Sequence, residues 1–157
     1  LQLFNEPFNQ MHKLKILLLE DIASDAEFIK KYLDRDGLKF EATIVASKTE
    51  LIKALEETEF DIVLADHSLT SMDAVIMVRE KDRRIPFILI GGTMSEETAI
   101  DIVRNEDADD YVLIDHIKRL PTAIRQAMKN KIIKLGKELC ESKLLAKDLT
   151  DPKISQN

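Results

Sequence analysis

Three carboxylates in this chain stand where they could share a cation. Glu20 and Asp21 follow directly on the run Lys15-Ile16-Leu17-Leu18-Leu19, and Asp66 follows Ile62-Val63-Leu64-Ala65 in the same way. Apolar runs of this kind suit parallel strands covered on both faces, and ligands of open α/β sheets sit at the carboxyl ends of such strands. Glu20 and Asp21 alone read as an exposed acidic turn, because adjacent carboxylates repel and are tolerated when solvated or neutralised. Asp66 alters that reading. If the two strands are neighbours, three anions converge, which is strongly unfavourable unless a divalent cation binds. Oxygen ligands with water positions left over suit Mg²⁺. The plainer alternative is a solvated acidic rim.

The elements that must position these acids alternate between strand and helix. After the first strand, Ser24-Asp25-Ala26-Glu27 has the pattern of a capping box, and Phe28, Ile29, Tyr32 and Leu33 give helical spacing up to Asp36-Gly37. Phe40 to Val45 reads as the second strand. Ser47-Lys48-Thr49-Glu50 opens a second helix with Leu51, Ile52 and Leu55 facing inward. The third strand ends on Asp66, and Met72 to Arg79 is the next helix. Phe87 to Ile90 is the fourth strand, leading into Gly91-Gly92. Thr93-Met94-Ser95-Glu96 caps a helix to about Asn105, and Tyr111 to Ile114 is the fifth strand. Pro121 suits the first turn of a last helix. Five β-α units imply right-handed crossovers and a doubly wound parallel sheet, for which we expect the common flavodoxin-like order 2-1-3-4-5. In that order the first and third strands are neighbours, so the three acids meet.

With 157 residues the chain suits one domain and an appendage, and its apolar share of 45% is enough for an ordinary core. No run approaches the length of a membrane span, and no signal peptide is visible. The single Cys140 excludes an internal disulfide framework and fits a reducing, cytoplasmic setting. The net charge of -6 conceals a break: residues 1–116 carry -12 and residues 117–157 carry +6. We expect residues 1–12 to be a tag or N-terminal extension, 13–130 the domain, and 131–157 a helical extension and tail.

The motifs LLLED (17–21), DHSLTSMDA (66–74), ILIGGT (88–93), DADDYVLID (107–115) and RLPTAIRQAM (119–128), in this order and spacing, resemble the receiver domain of two-component response regulators over roughly residues 13–130. The resemblance implies a phosphorelay domain that accepts a phosphoryl group from a histidine kinase or phosphotransfer protein. Asp66 matches the acceptor. Glu20 and Asp21 match the acid pair that holds Mg²⁺ (or Mn²⁺), Asp21 directly and Glu20 through water, with the backbone carbonyl of Ser68 as a further ligand. Tyr111 matches the switch aromatic. Beyond its own phosphotransfer and dephosphorylation, no enzymatic activity is implied.

Two positions depart from the family. Where it has a Lys at the end of strand five, this chain has Ile114, and the next Lys is Lys118. Where it has Ser or Thr at the end of strand four, this chain has Gly91, with Thr93 two residues on as the substitute from the loop. Removing one electrostatic interaction from an active site costs ~3 kcal/mol, or roughly a hundredfold in rate. The alternative function is therefore a degenerate receiver, used as a phosphorylation-independent interaction or dimerisation module. His67 beside Asp66 reads as a solvated loop-edge residue.

Helical period continues past Asn130. Ile132, Leu139 and Ala146 fall at a positions when Met128, Leu135, Ser142 and Leu149 are d, with Gly136 as a weak point. The extended last helix therefore either packs on its own domain, makes a homodimer, or leads into a further domain. No nucleic-acid module follows, and neither nucleic-acid nor membrane partners are expected.

Overall fold

A computed structural model describes residues 13–92 and 94–150, with the backbone alone for 70–72, 106 and 145–150. Five parallel strands lie in the order β2-β1-β3-β4-β5, the flavodoxin-like order expected for the fold class. They are β1 (Leu14–Leu19), β2 (Phe40–Val45), β3 (Ile62–Asp66), β4 (Phe87–Gly91) and β5 (Asp110–Leu113). The connecting helices are α1 (Ala23–Arg35), α2 (Lys48–Glu57), α3 (Ala74–Lys81) and α4 (Glu96–Glu106). The last helix, α5 (Leu120–Thr150), is 31 residues long.

The strands sort their side chains by parity, as the two-residue period requires. Ile16, Leu18, Leu64, Ile88, Ile90 and Val112 face α1 and α5, meeting Ile29, Leu33, Leu120, Ile124 and Met128. Leu17, Leu19, Val63, Ala65, Phe87 and Leu89 face the other way and meet Leu51, Leu55, Val75 and Val78 of α2 and α3. Both faces are covered, which is why β1, β3 and β4 read as apolar runs. The outer strand β2 alternates instead, with Glu41, Thr43 and Ile44 exposed.

Local signals were kept in some places and overridden in others. Ser47 caps α2, accepting from the Glu50 amide at 3.2 Å, while the Glu50 carboxylate accepts from the Ala46 amide at 2.6 Å. Ser95 caps α4 through the Thr98 amide. Ser24, by contrast, lies inside α1, whose N-cap is Ile22 and lacks a side-chain cap bond. The Glu20 carboxylate accepts from the Ile22 amide at 3.1 Å, serving the start of the helix from the strand end. Ile52 is largely exposed, and Ala54 is buried between Leu51 and Leu55. A 3-10 segment, His67–Met72, delays α3 past the expected Met72, and Asp73 makes the junction in the left-handed region with φ 60°. Strand β5 stops one residue early, so Ile114 opens a second 3-10 segment, Ile114–Arg119.

An arginine fastens the amino-terminal edge of the sheet. Arg79 on α3 donates to the carbonyls of Ile85 and Asp107 and pairs with the Asp109 carboxylate at 3.0 Å. The same carboxylate accepts from the Phe87 amide at 2.7 Å. One guanidinium thereby ties together the entries to β4 and β5.

Candidate functional site

The acids converge because β1 and β3 pair in parallel, with Leu19 opposite Ala65. Glu20, the residue after β1, and Asp66, the last of β3, therefore follow that pair at the same level and emerge side by side. Carboxylate oxygens of Glu20, Asp21 and Asp66 all lie within 4.8 Å of one another. Glu20 is buried at 6% exposure, Asp66 is half-buried and Asp21 is exposed. Burial, with the charges of Asp66, Asp25 and Asp21, pushes the Glu20 carboxyl up to about 7, against the lowering effect of the Ile22 amide. Asp25, read in the sequence as part of a capping box, is a fourth negative charge acting on Glu20.

This donor set fits a hard divalent cation. Oxygens bound directly to one Mg²⁺ at ~2.1 Å lie at most about 4.2 Å apart. A set spread up to 4.8 Å closes on an ion by small side-chain rotations, or holds it with one ligand acting through water. A carboxyl driven toward neutrality first by burial and then by three neighbouring acids is one that a bound cation would help to ionise. Ser68 stands beside the cluster in the 3-10 segment, and its amide donates to Asp66 Oδ1 at 3.0 Å.

The remaining positions fall into two groups. Ile114 sits at the start of the second 3-10 segment with 37% exposure, an alkyl group at the rim. Lys118 lies further along that exposed segment. Arg119 is engaged with both carboxylate oxygens of Asp110, at 3.0 Å each, and with the Tyr111 carbonyl. Thr93 lies outside the described residues. Tyr111 and Gly91, in contrast, come together. The tyrosine is buried at 6% exposure, and a Cβ built on Gly91 would fall well inside contact of its hydroxyl. His67 is not a solvated loop residue: it is half-buried, its ring edge-on to Tyr111 with centroids 5.7 Å apart. Sequence reasoning missed this pair of rings, which meet where Gly91 leaves room beside the Tyr111 hydroxyl.

No helix among the described residues is long and apolar enough to cross a membrane. No family model matches the chain. It is 27% identical over 115 residues to the regulatory protein LuxO of Vibrio cholerae, an overlap covering 71% of this chain and 25% of that protein. It is 29% identical over 103 residues to the DNA-binding response regulator MtrA of Mycolicibacterium paratuberculosis, covering 63% of this chain and 44% of that one. The chain thus spans a quarter to under half of the length of these curated relatives. Among solved structures it superposes on the signal receiver domain of a putative LuxO repressor from Vibrio parahaemolyticus with a TM-score of 0.64 at 18% identity, over 78% of this chain and 95% of that one. It also matches the receiver domain of a sensor histidine kinase from Pseudomonas aeruginosa, TM-score 0.62 at 20% identity, over 75% of this chain and 99% of that one. That structure has a magnesium ion coordinated in its active site cleft.

Proposed function

Because the chain has the fold of a response-regulator receiver domain and is similar to response regulators in sequence, we propose that it accepts a phosphoryl group on Asp66 from a histidine kinase or phosphotransfer protein and relays the signal by protein-protein contact. The observation that carries this reading is the convergence of Glu20, Asp21 and Asp66 at the carboxyl ends of β1 and β3. Asp21 and Asp66, with Glu20 through water and the Ser68 carbonyl, are the residues to hold Mg²⁺. When bound, the ion would offset repulsion between these carboxylates and the incoming phosphoryl oxygens.

The chain's own groups do the rest. The Ser68 amide holds Asp66 Oδ1, which orients Oδ2 for attack in line with the leaving imidazole. An O–P bond forms to Asp66 as the N–P bond of the donor phosphohistidine breaks. Ile114 offers no charge to the transferred group, so transfer is slower by roughly a hundredfold than with an ammonium in that place.

The exposed Ile114 and the side-chain-free Gly91 favour a second reading, a receiver fold used for interaction alone. Mg²⁺ with acetyl phosphate or beryllofluoride separates the two. The first reading expects a Mg²⁺-dependent adduct on the wild-type chain that Asp66→Asn abolishes. If neither reagent modifies the wild type, the interaction module is the function. Ile132 and Leu139, exposed at 42% and 58% on α5, are the surface we assign to a second copy of the chain.

A further inference from the structure

Gly91 closes β4 one residue past Ile90, the register partner of Asp66. It therefore stands at the carboxyl edge beside the acidic cluster. A Cβ placed on it would lie inside contact of the Tyr111 hydroxyl, 3.0 Å from the ring carbon Cζ and 3.2 Å from His67 Cβ. The tyrosine hydroxyl and a side chain at position 91 are thus alternative occupants of one volume. Tyr111 begins two residues lower in the sheet, opposite Leu89, so its ring climbs toward the edge where Asp66 lies. His67 braces it, ring edge to ring face at 63°.

We propose that the Tyr111 hydroxyl is the hydrogen-bond donor this chain presents to an anion carried on Asp66, in the place where Gly91 supplies no side chain. The proposal rests on the phosphoacceptor reading. An anion there adds to the charge of Glu20 and Asp21 and needs donors as well as a cation. Ile114 contributes an alkyl group, and Arg119 is already paired with Asp110. A phenol hydroxyl donates to an anion at charge-assisted strength. Loss of one such bond weakens binding by roughly tenfold or more. Tyr111 acts here on the bound anion and takes no part in bond making.

The test uses the full chain with Mg²⁺ and beryllofluoride as the phosphoryl stand-in. The chain has two tyrosines, so fluorotyrosine labelling gives two ¹⁹F signals, with Tyr32 on α1 as the internal reference. Beryllofluoride is expected to move the Tyr111 signal and leave that of Tyr32 in place. Tyr111→Phe should weaken beryllofluoride binding roughly tenfold, and adding Gly91→Ser to that variant should restore part of it, since a serine hydroxyl then fills the vacated volume. Equal affinity in Tyr111→Phe, or an unmoved Tyr111 signal while an Asp66-dependent adduct forms, overturns the proposal. Wild type that takes no adduct, and so behaves like Asp66→Asn, overturns the phosphoacceptor reading and this inference with it.

Discussion

Glu20 is the acid whose protonation decides how much charge the cluster carries. Its carboxyl is raised from 4.5 to about 7 in the folded chain, so the folded state binds a proton more tightly than the unfolded one between those values. Stability must therefore fall as pH rises from about 4.5 through 7 and stay lower above, by ~3 kcal/mol at one pKa unit per 1.36 kcal/mol. Urea melts at pH 5 and pH 8 should show that loss in the wild type and little of it in Glu20→Gln. Saturating Mg²⁺ should recover much of it at pH 8, because a cation bound only by the folded state adds its binding energy to stability. The carboxylates themselves were legible in the sequence because each ends an apolar strand, and parallel pairing of β1 with β3 leaves little choice about where strand ends meet. The Gly91–Tyr111–His67 group was not. It depends on how far a side chain climbs along a sheet, and residue types at a strand end carry no record of that direction.

At the scale of elements, α3 does more than cover the sheet. Arg79 bonds to three carbonyls, of Arg83, Ile85 and Asp107, and to the Asp109 carboxylate, and its own side chain is mostly buried. Replacing it with Met keeps the length of the side chain but leaves those carbonyls without the guanidinium and Asp109 with the Phe87 amide but no cation. Asp109 is 47% exposed, so the ion pair itself is worth less than ~1 kcal/mol and the lost hydrogen bonds to the carbonyls bring the total to ~2 kcal/mol. Equilibrium denaturation of Arg79→Met is expected to show a loss of that size, with the acidic cluster at the opposite edge of the sheet still able to bind Mg²⁺. Helix ends were legible where hydroxyl and acid spacing met no competitor, as at Ser47, whereas α4 is capped by Ser95 through the Thr98 amide, with no acid at that third position. At Ser24 the same pattern failed because Glu20, held at the strand end, reaches the Ile22 amide first and starts the helix earlier. The late start of α3 and the early stop of β5 share another cause: short 3-10 segments carry little periodicity of their own, and the apolar residues within them read as parts of their neighbours.

At the scale of the molecule, the first third of α5 is packed in the core and the helix keeps touching the body along one side as far as Glu138. Leu120, Ala123, Ile124, Ala127 and Met128 are buried, whereas Ile132, Ile133, Leu139 and Leu144 are exposed. Met128, placed on the heptad seam by its spacing, is used by the core, so a seam for a second copy begins at Ile132. Leu135 is half-buried, lining a cleft with Arg84 and Pro86, and Arg84 pairs with Glu138 at 3.4 Å. Sedimentation should give a dimer for the full chain and a monomer for a chain cut after Asn130, and an unchanged oligomeric state would remove the dimer proposal. Gly136 has open space around it. Gly136→Ala is accordingly expected to strengthen the helix by ~1 kcal/mol and to raise its thermal midpoint, read by circular dichroism. The heptad pattern was legible, but where the body ends along it was not, because buried and exposed apolar residues share the same spacing.

The unbroken course of α5 has a mechanical consequence. Thirty-one residues at 1.5 Å each make a rod about 45 Å long, anchored near one end by the core beneath Leu120 to Met128. Such a rod is a lever: about 33 Å of it lies beyond Met128, and a tilt of about 5° there carries Thr150 roughly 3 Å sideways.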